Sequence, residues 1–166
     1  MDTILTLLTL GIVRFFIVRQ GYVRLVMKFG QYVRTAKPGM SSCLSFWGLY
    51  QKPSAEIPTL EQIGRYVREE VFTSDGVKCL IDVVIWYTVV DPVKALFAIS
   101  NYNDAVFNAV RSILRNECGK RPTRALLSGR EEILSNLKAV LERDAAPWGI
   151  DIRLVEMTNI DITNTK

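Results

Sequence analysis

The chain has 166 residues, of which 49% are hydrophobic and 23% charged, a globular composition that excludes disorder and low-complexity tracts and suits one domain of ordinary size. It contains no histidine, which excludes Ser-His-Asp and Cys-His nucleophile systems and any His-containing metal site. The net charge of +4 is uneven: residues 1–52 carry seven bases against the single acid Asp2, a net +6, and residues 53–166 carry 14 bases and 16 acids, a net −2.

The first predicted element is apolar. Residues 3–18, TILTLLTLGIVRFFIV, hold one charge, Arg14. As a helix they would reach roughly 24 Å, slightly short of a hydrocarbon core of about 30 Å. The sequence predicts a membrane anchor over residues 1–18, built from Ile4, Leu5, Leu7, Leu8, Leu10, Ile12, Val13, Phe15, Phe16, Ile17 and Val18. A core helix of a soluble protein is the plainer alternative. A cleaved signal peptide fits worse, because Asp2 leads the segment and no small-x-small site follows it. The bases after the run, Arg14, Arg19, Arg24 and Lys28, put the body on the cytoplasmic side of a single-pass inner-membrane protein by the positive-inside rule. They are neither gathered on one recognition helix nor interleaved with aromatics on a recognisable nucleic-acid motif, and they follow an apolar segment directly, so they argue for anionic lipid rather than nucleic acid.

Residues 21–29 alternate with period two and predict a strand, broken by Gly30 and resumed over 32–35. Lys37-Pro38-Gly39 places Pro and Gly where a type II turn requires them. Residues 40–50, MSSCLSFWGLY, carry no charge and have two readings. One is a buried strand or loop. The other is a loop dipping into lipid through Met40, Leu44, Phe46, Trp47 and Leu49, with Arg14, Arg19 and Lys37 at the headgroups.

The strongest local signal is a hairpin, 66–73 and 77–90, around Ser74-Asp75-Gly76. Its second arm is apolar on both faces, which predicts a central strand covered on both sides. Asp91-Pro92 then opens a helix over 92–99, followed by helices over 103–118, with Gly119 as C′ residue, and over 123–127. Ser128 and Glu131 form the pattern of a capping box for a helix reaching 146, with Ile133, Leu137, Val140 and Leu141 inward and Glu131, Glu132, Lys138, Glu142 and Arg143 outward. Pro147-Trp148-Gly149 stops it, and a last strand covers 150–162, opening with Ile150, Ile152 and Leu154 on one face. The architecture predicted is α+β, one mostly antiparallel sheet with helices packed on it. Cys43, Cys79 and Cys118 form no CxxC pair and read as buried reduced thiols.

The order of these features resembles the SPFH or band 7 family of stomatins, prohibitins, flotillins and their bacterial relatives. The resemblance rests on Val18-Arg19-Gln20-Gly21-Tyr22-Val23, Phe29-Gly30-Gln31-Tyr32, Lys37-Pro38-Gly39-Met40, Phe72-Thr73-Ser74-Asp75-Gly76-Val77, Tyr87 to Pro92 with Val93 and Ala95, Ser128-Gly129-Arg130-Glu131-Glu132-Ile133, and Pro147-Trp148-Gly149-Ile150. Two departures stand out. Ser45-Phe46 occupies the place of a Pro-Phe, and the sequence ends at Lys166, about where relatives begin a long helical region.

The resemblance implies an SPFH/band 7 domain over 19–166 and a non-enzymatic scaffold without cofactor or metal. Such a scaffold assembles into a homo-oligomeric ring or cage on the bilayer and organises partners there, such as a membrane protease or a nodulation-efficiency-type membrane protein. Arg130, Glu131, Glu132, Lys138 and Glu142 are the candidate subunit contact, with simple solvation as the alternative. Two other functional readings remain. One is an adaptor that binds or inhibits a single membrane protease or channel without assembling. The other is an enzyme using a carboxylate pair drawn from Glu69, Glu70, Asp75 and Asp82, acids for which turn chemistry and strand-edge solvation are the plainer reading.

Overall fold

A computed structural model describes residues 13–44 and 50–163 of the chain. In chain order they form β1 (Val13–Val18), β2 (Tyr22–Lys28), β3 (Gln31–Ala36), β4 (Gly39–Leu44), β5 (Gln51–Pro53), β6 (Ile57–Pro58), β7 (Gln62–Phe72) and β8 (Lys78–Val89). Then come helices α1 (Pro92–Phe97), α2 (Tyr102–Gly119), α3 (Thr123–Ser128) and α4 (Arg130–Ala145), a 3-10 turn (Ala146–Trp148) and the last strand, β9 (Ile150–Thr163). The class is α+β, and among the described residues every strand pairing is antiparallel, but the strands form three sheets rather than the one predicted. The chain divides into two compact units, Met1–Leu60 and Glu61–Lys166.

In the first unit β1 pairs with β4 as a two-stranded ribbon, and β2 carries β3 on one edge and the short β5 and β6 on the other. Phe16, Val18 and Cys43 on the ribbon's inner side bury themselves with Val26 of β2 and Ala36 of β3. This overturns part of the anchor prediction. Residues 13–18 are a strand, because alternate β-branched and aromatic side chains find a core on one side and a hydrogen-bonding partner strand alongside. The remainder of the predicted anchor, Ile4 to Ile12, lies outside the described residues. Among the described residues no helix is long and apolar enough to cross a membrane.

In the second unit β8 lies between β7 and β9. Its burial alternates strictly: Cys79, Ile81, Val83, Ile85, Tyr87 and Val89 are buried, and the residues between them are half-buried. The prediction of a strand covered on both sides therefore holds for one face only. Val106, Val110, Leu114 and Cys118 of α2 and Ile133, Leu137 and Leu141 of α4 close that face. On the other, Trp86 stands in register between Ile63 and Leu154, which are 54% and 50% exposed.

Bulges account for the other misread positions. Between Tyr66 and Glu69 the β7–β8 register shifts, with Arg68 at φ 56° and its N–H donating to Asp82 Oδ1 at 2.6 Å. The shift carries Glu69 and Val71 inward after Tyr66. Glu69 then accepts two hydrogen bonds from Arg111 of α2, at 2.8 and 3.0 Å, which satisfy a carboxylate that is only 7% exposed. In β9 a shift opposite Trp86 and Tyr87 turns Leu154 outward and Val155 inward, against the simple alternation read from the sequence.

The helix starts follow local chemistry. Asp91 caps α1, accepting from the N–H groups of Val93 and Lys94 at 3.0 and 3.1 Å with Pro92 at the first position, as expected. The capping box at Ser128 is not formed. Ser128 ends α3 and donates to the Arg124 carbonyl, while Gly129 occupies the N-cap of α4 without a side-chain hydrogen bond. Gly119 is the last residue of α2, followed by Lys120 as C-cap, rather than a left-handed C′ residue.

Gly149 is where the backbone demands glycine. It has φ 71°, its carbonyl accepts from the N–H groups of Val90 and Asp91, and a Cβ would stand 2.5 Å from the Asp91 carbonyl oxygen. Gly149→Ala is expected to cost about 2–4 kcal/mol, from a left-handed backbone and displacement of Asp91, read as a lowered unfolding midpoint in urea. All three thiols are buried and free, as the sequence predicts, and burial pushes Cys118 up to about 11, with Cys79 adding to the effect. Native protein at pH 8 is therefore expected to show no rapidly reacting thiol, whereas denatured protein shows three. Rapid labelling of the native protein would contradict this core.

Candidate functional site

The register of the first unit brings several chain segments to one end. Val13, the first described residue, lies opposite Leu44, the last residue of β4. The Leu44 N–H donates to Gln51 Oε1 at 3.1 Å, and Gln51 lies opposite Lys28, the last residue of β2. The Phe29 N–H donates to the Tyr50 carbonyl at 3.3 Å. Both undescribed apolar segments of the front thus join the described chain here, residues 1–12 at Val13 and residues 45–49 between Leu44 and Tyr50.

The same end carries aromatic and basic groups. Phe29 is 73% exposed, and its ring meets Tyr50 edge-on at 5.3 Å between centroids. The Lys28 ammonium sits 4.6 Å from the centre of the Tyr50 ring. Lys52 and Arg14, both exposed, stand opposite Met27 and Cys43. From Thr3 to Ala55 the sequence has no acid. Glu56, the first acid after Asp2, is bonded to Arg24 at 3.0 Å.

The structure divides the predicted membrane-contact residues. Leu44 and Arg14 belong to this end. Met40, opposite Ile17, and Arg19 and Lys37, beyond Val18 and Ala36, belong to the other end of the same strands. Met40 is 78% and Ile17 61% exposed, on the outer face of the ribbon with Leu44. Phe16 and Val18, predicted to be anchor residues, face the core instead. Phe46, Trp47 and Leu49 lie outside the described residues. Phe29 was missed by sequence reasoning. The signal was present in Phe-Gly between two strand patterns, but an aromatic at the first position of a tight turn did not read as an exposed tip.

The predicted subunit-contact residues lie on or beside α4, and several make bonds within the chain. Glu132 accepts from Arg121 at 2.9 and 3.1 Å, and these hydrogen bonds hold its carboxyl below the usual range. Lys138 donates to the Arg153 carbonyl at 3.0 Å and stands 3.5 Å from Glu142. Glu131 is exposed and Arg130 half-buried.

The four carboxylates considered for catalysis are not brought together as a pair. Glu69 faces α2, bonded to Arg111. Asp82 lies on the opposite face of the sheet and accepts from the Arg68 N–H. Asp75 accepts from the Thr123 N–H at 2.9 Å, clipping the hairpin tip to the start of α3. Glu70 pairs with Lys78 at 2.8 Å. Among the described residues no group of three Cys, Asp or Glu side chains is placed to hold a metal ion.

Comparison with known proteins supplies the family. The chain is 28% identical over 161 residues to an uncharacterised protein of Methanocaldococcus jannaschii, covering 93% of this chain and 79% of the relative. It is 27% identical over 158 residues to a protein described as band 7 family in Acanthamoeba polyphaga mimivirus, covering 89% of this chain and 49% of the relative. It is 31% identical over 94 residues to a stomatin homolog of Pyrococcus horikoshii, covering 57% of this chain and 35% of that protein. Apart from the first, the chain thus spans half or less of the length of these relatives. The family description "SPFH domain / Band 7 family" matches residues 16–165, most of the chain, and the chain belongs to that family.

Proposed function

We propose that this protein is a membrane-associated scaffold, not an enzyme, that assembles on the bilayer and organises membrane partners there. The observation that carries the reading is the end of the first unit where Val13, Leu44, Tyr50 and Phe29 converge, basic and aromatic, at the root of two apolar segments. Family membership supports a membrane setting. The separation of Glu69, Asp82, Asp75 and Glu70 into structural bonds removes the carboxylate pair on which the enzyme alternative relied.

In this reading the segment from Ile4 to Ile12 inserts into lipid and the body stands on the cytoplasmic side, which the bases following the segment favour. With residues 13–18 held in β1, the segment before them engages at least the near leaflet. Each subunit is held modestly, and a ring of subunits gains retention through avidity. A ring requires two different faces of the subunit to meet. The outer side of α4, with Arg130, Glu131, Glu132, Lys138 and Glu142, is proposed as one of them, its charges setting register at the rim. A membrane protease or a nodulation-efficiency-type membrane protein is the proposed kind of partner enclosed or regulated by such an assembly.

Two measurements test this. Extracted in mild detergent and sized by mass photometry, the protein is expected as ring-shaped particles of many subunits; a monomer or dimer would overturn the scaffold reading in favour of the single-partner adaptor. Leu7→Asp with Leu10→Asp is expected to move the protein from the carbonate-washed membrane pellet to the supernatant. Retention of that variant in the pellet would refute the role of the N-terminal segment.

A further inference from the structure

We propose that the Phe29-Gly30 turn is itself a lipid-contact site, an aromatic tip with a basic collar that meets an anionic bilayer surface end-on. This rests on the membrane reading above and adds to it a contact made by the folded domain.

The backbone of the turn gives the first argument. Phe29 and Gly30 both have positive φ, 47° and 83°, joining β2 to β3 through a two-residue loop. Such a loop favours Asn or Asp before Gly, because a β-carbon is strained there and a short polar side chain compensates. Phe offers no such compensation, and at 73% exposure it gains little burial in return. Strain held at an exposed aromatic is a mark of use rather than of folding.

Chemistry at the same end gives the second. The Phe29 ring touches Tyr50, and Tyr50 carries the Lys28 ammonium 4.6 Å from its ring centre. An apolar ring beside a phenol and an ammonium suits the depth where acyl chains meet headgroups. Lys52 and Arg14 extend the positive charge, and Glu56, the acid nearest Lys52 in sequence, is held by Arg24. A membrane with anionic lipids complements that collar.

Continuity decides the orientation. Both apolar segments outside the described residues leave the fold at Val13, Leu44 and Tyr50, on this end. A bilayer that receives the N-terminal segment is therefore presented to the Phe29 tip before it reaches Met40, at the far end of β4.

The test uses the full chain in vesicles of phosphatidylcholine with phosphatidylglycerol, carrying a nitroxide lipid as quencher. An environment-sensitive fluorophore is attached through Phe29→Cys, Lys52→Cys or Met40→Cys; the native cysteines are buried. The labels at 29 and 52 are expected to be quenched severalfold more than the label at 40, and less so in vesicles of phosphatidylcholine alone. The position-52 label gives the reading without altering the turn. Strong quenching at 40 with none at 29 or 52 would mean the ribbon lies flat and would overturn the inference. Protein retained by vesicles with no quenching at 29 or 52 would overturn it while leaving the membrane reading intact, and protein absent from the vesicles would overturn both. Phe29→Asn is expected to leave the unfolding midpoint unchanged or raised; a large fall would make the ring a structural element and refute the proposal.

Discussion

The pairing of β1 with β4 places residues 13–18 in the folded domain rather than in a membrane helix. From Val13 to Val18 the backbone is hydrogen-bonded to Gly39–Leu44, and among the described residues no further strand continues that ribbon. A two-stranded ribbon has open edges, whose unpaired N–H and C=O groups would each cost several kcal/mol in hydrocarbon. Its inner side chains are also committed, since Phe16, Val18 and Cys43 fill the small core of the first unit. Residues 13–18 of the apolar run therefore belong to the folded domain and must stay in contact with water, protein or headgroups.

The rest of the first unit follows from that pairing. Because β4 returns toward the start of β1, and β5 pairs beside the end of β2, the root of the N-terminal segment, the ends of the 45–49 segment and the Phe29 tip become neighbours. The second unit is organised differently. Its helices close one face of a three-stranded sheet, and its polar side chains mainly secure the frame: Arg111 holds Glu69, Asp75 holds α3, and Asp82 holds the bulge. The acidic groups that the sequence offers as a carboxylate pair thus each have a structural partner.

Much of this was legible in the residues. The alternating pattern of residues 77–89 gave the inward face of β8, Asp91-Pro92 marked the start of α1, and Pro147-Trp148-Gly149 marked the change from α4 to β9. What failed were the places where a long-range partner overrode a local pattern. Residues 13–18 satisfy the composition of a membrane helix, and only β4, more than 20 residues later, makes them a strand. Bulges shift phase without any composition signal, so Leu154 read as inward and Glu69 as solvated. Ser128 and Glu131 have capping-box spacing, but a separate short helix, α3, already claims Ser128. The candidate site was half visible for the same reason: its residues come from four strands and a turn, and pairing alone brings them together.

The most direct test of this account is a disulfide across the ribbon in membrane-bound protein. Phe15 and Ser42 are register partners on its outer side, away from Cys43, and antiparallel partners stand about 4.5–5.5 Å apart at Cα, within reach of a disulfide. Phe15→Cys with Ser42→Cys is expected to cross-link on mild oxidation of the membrane fraction, while Val13→Cys with Met40→Cys, at opposite ends of the pairing, is not. Failure of the 15–42 pair to form in protein that remains in the membrane would mean that residues 13–18 continue the anchor, and would contradict their place in the folded domain.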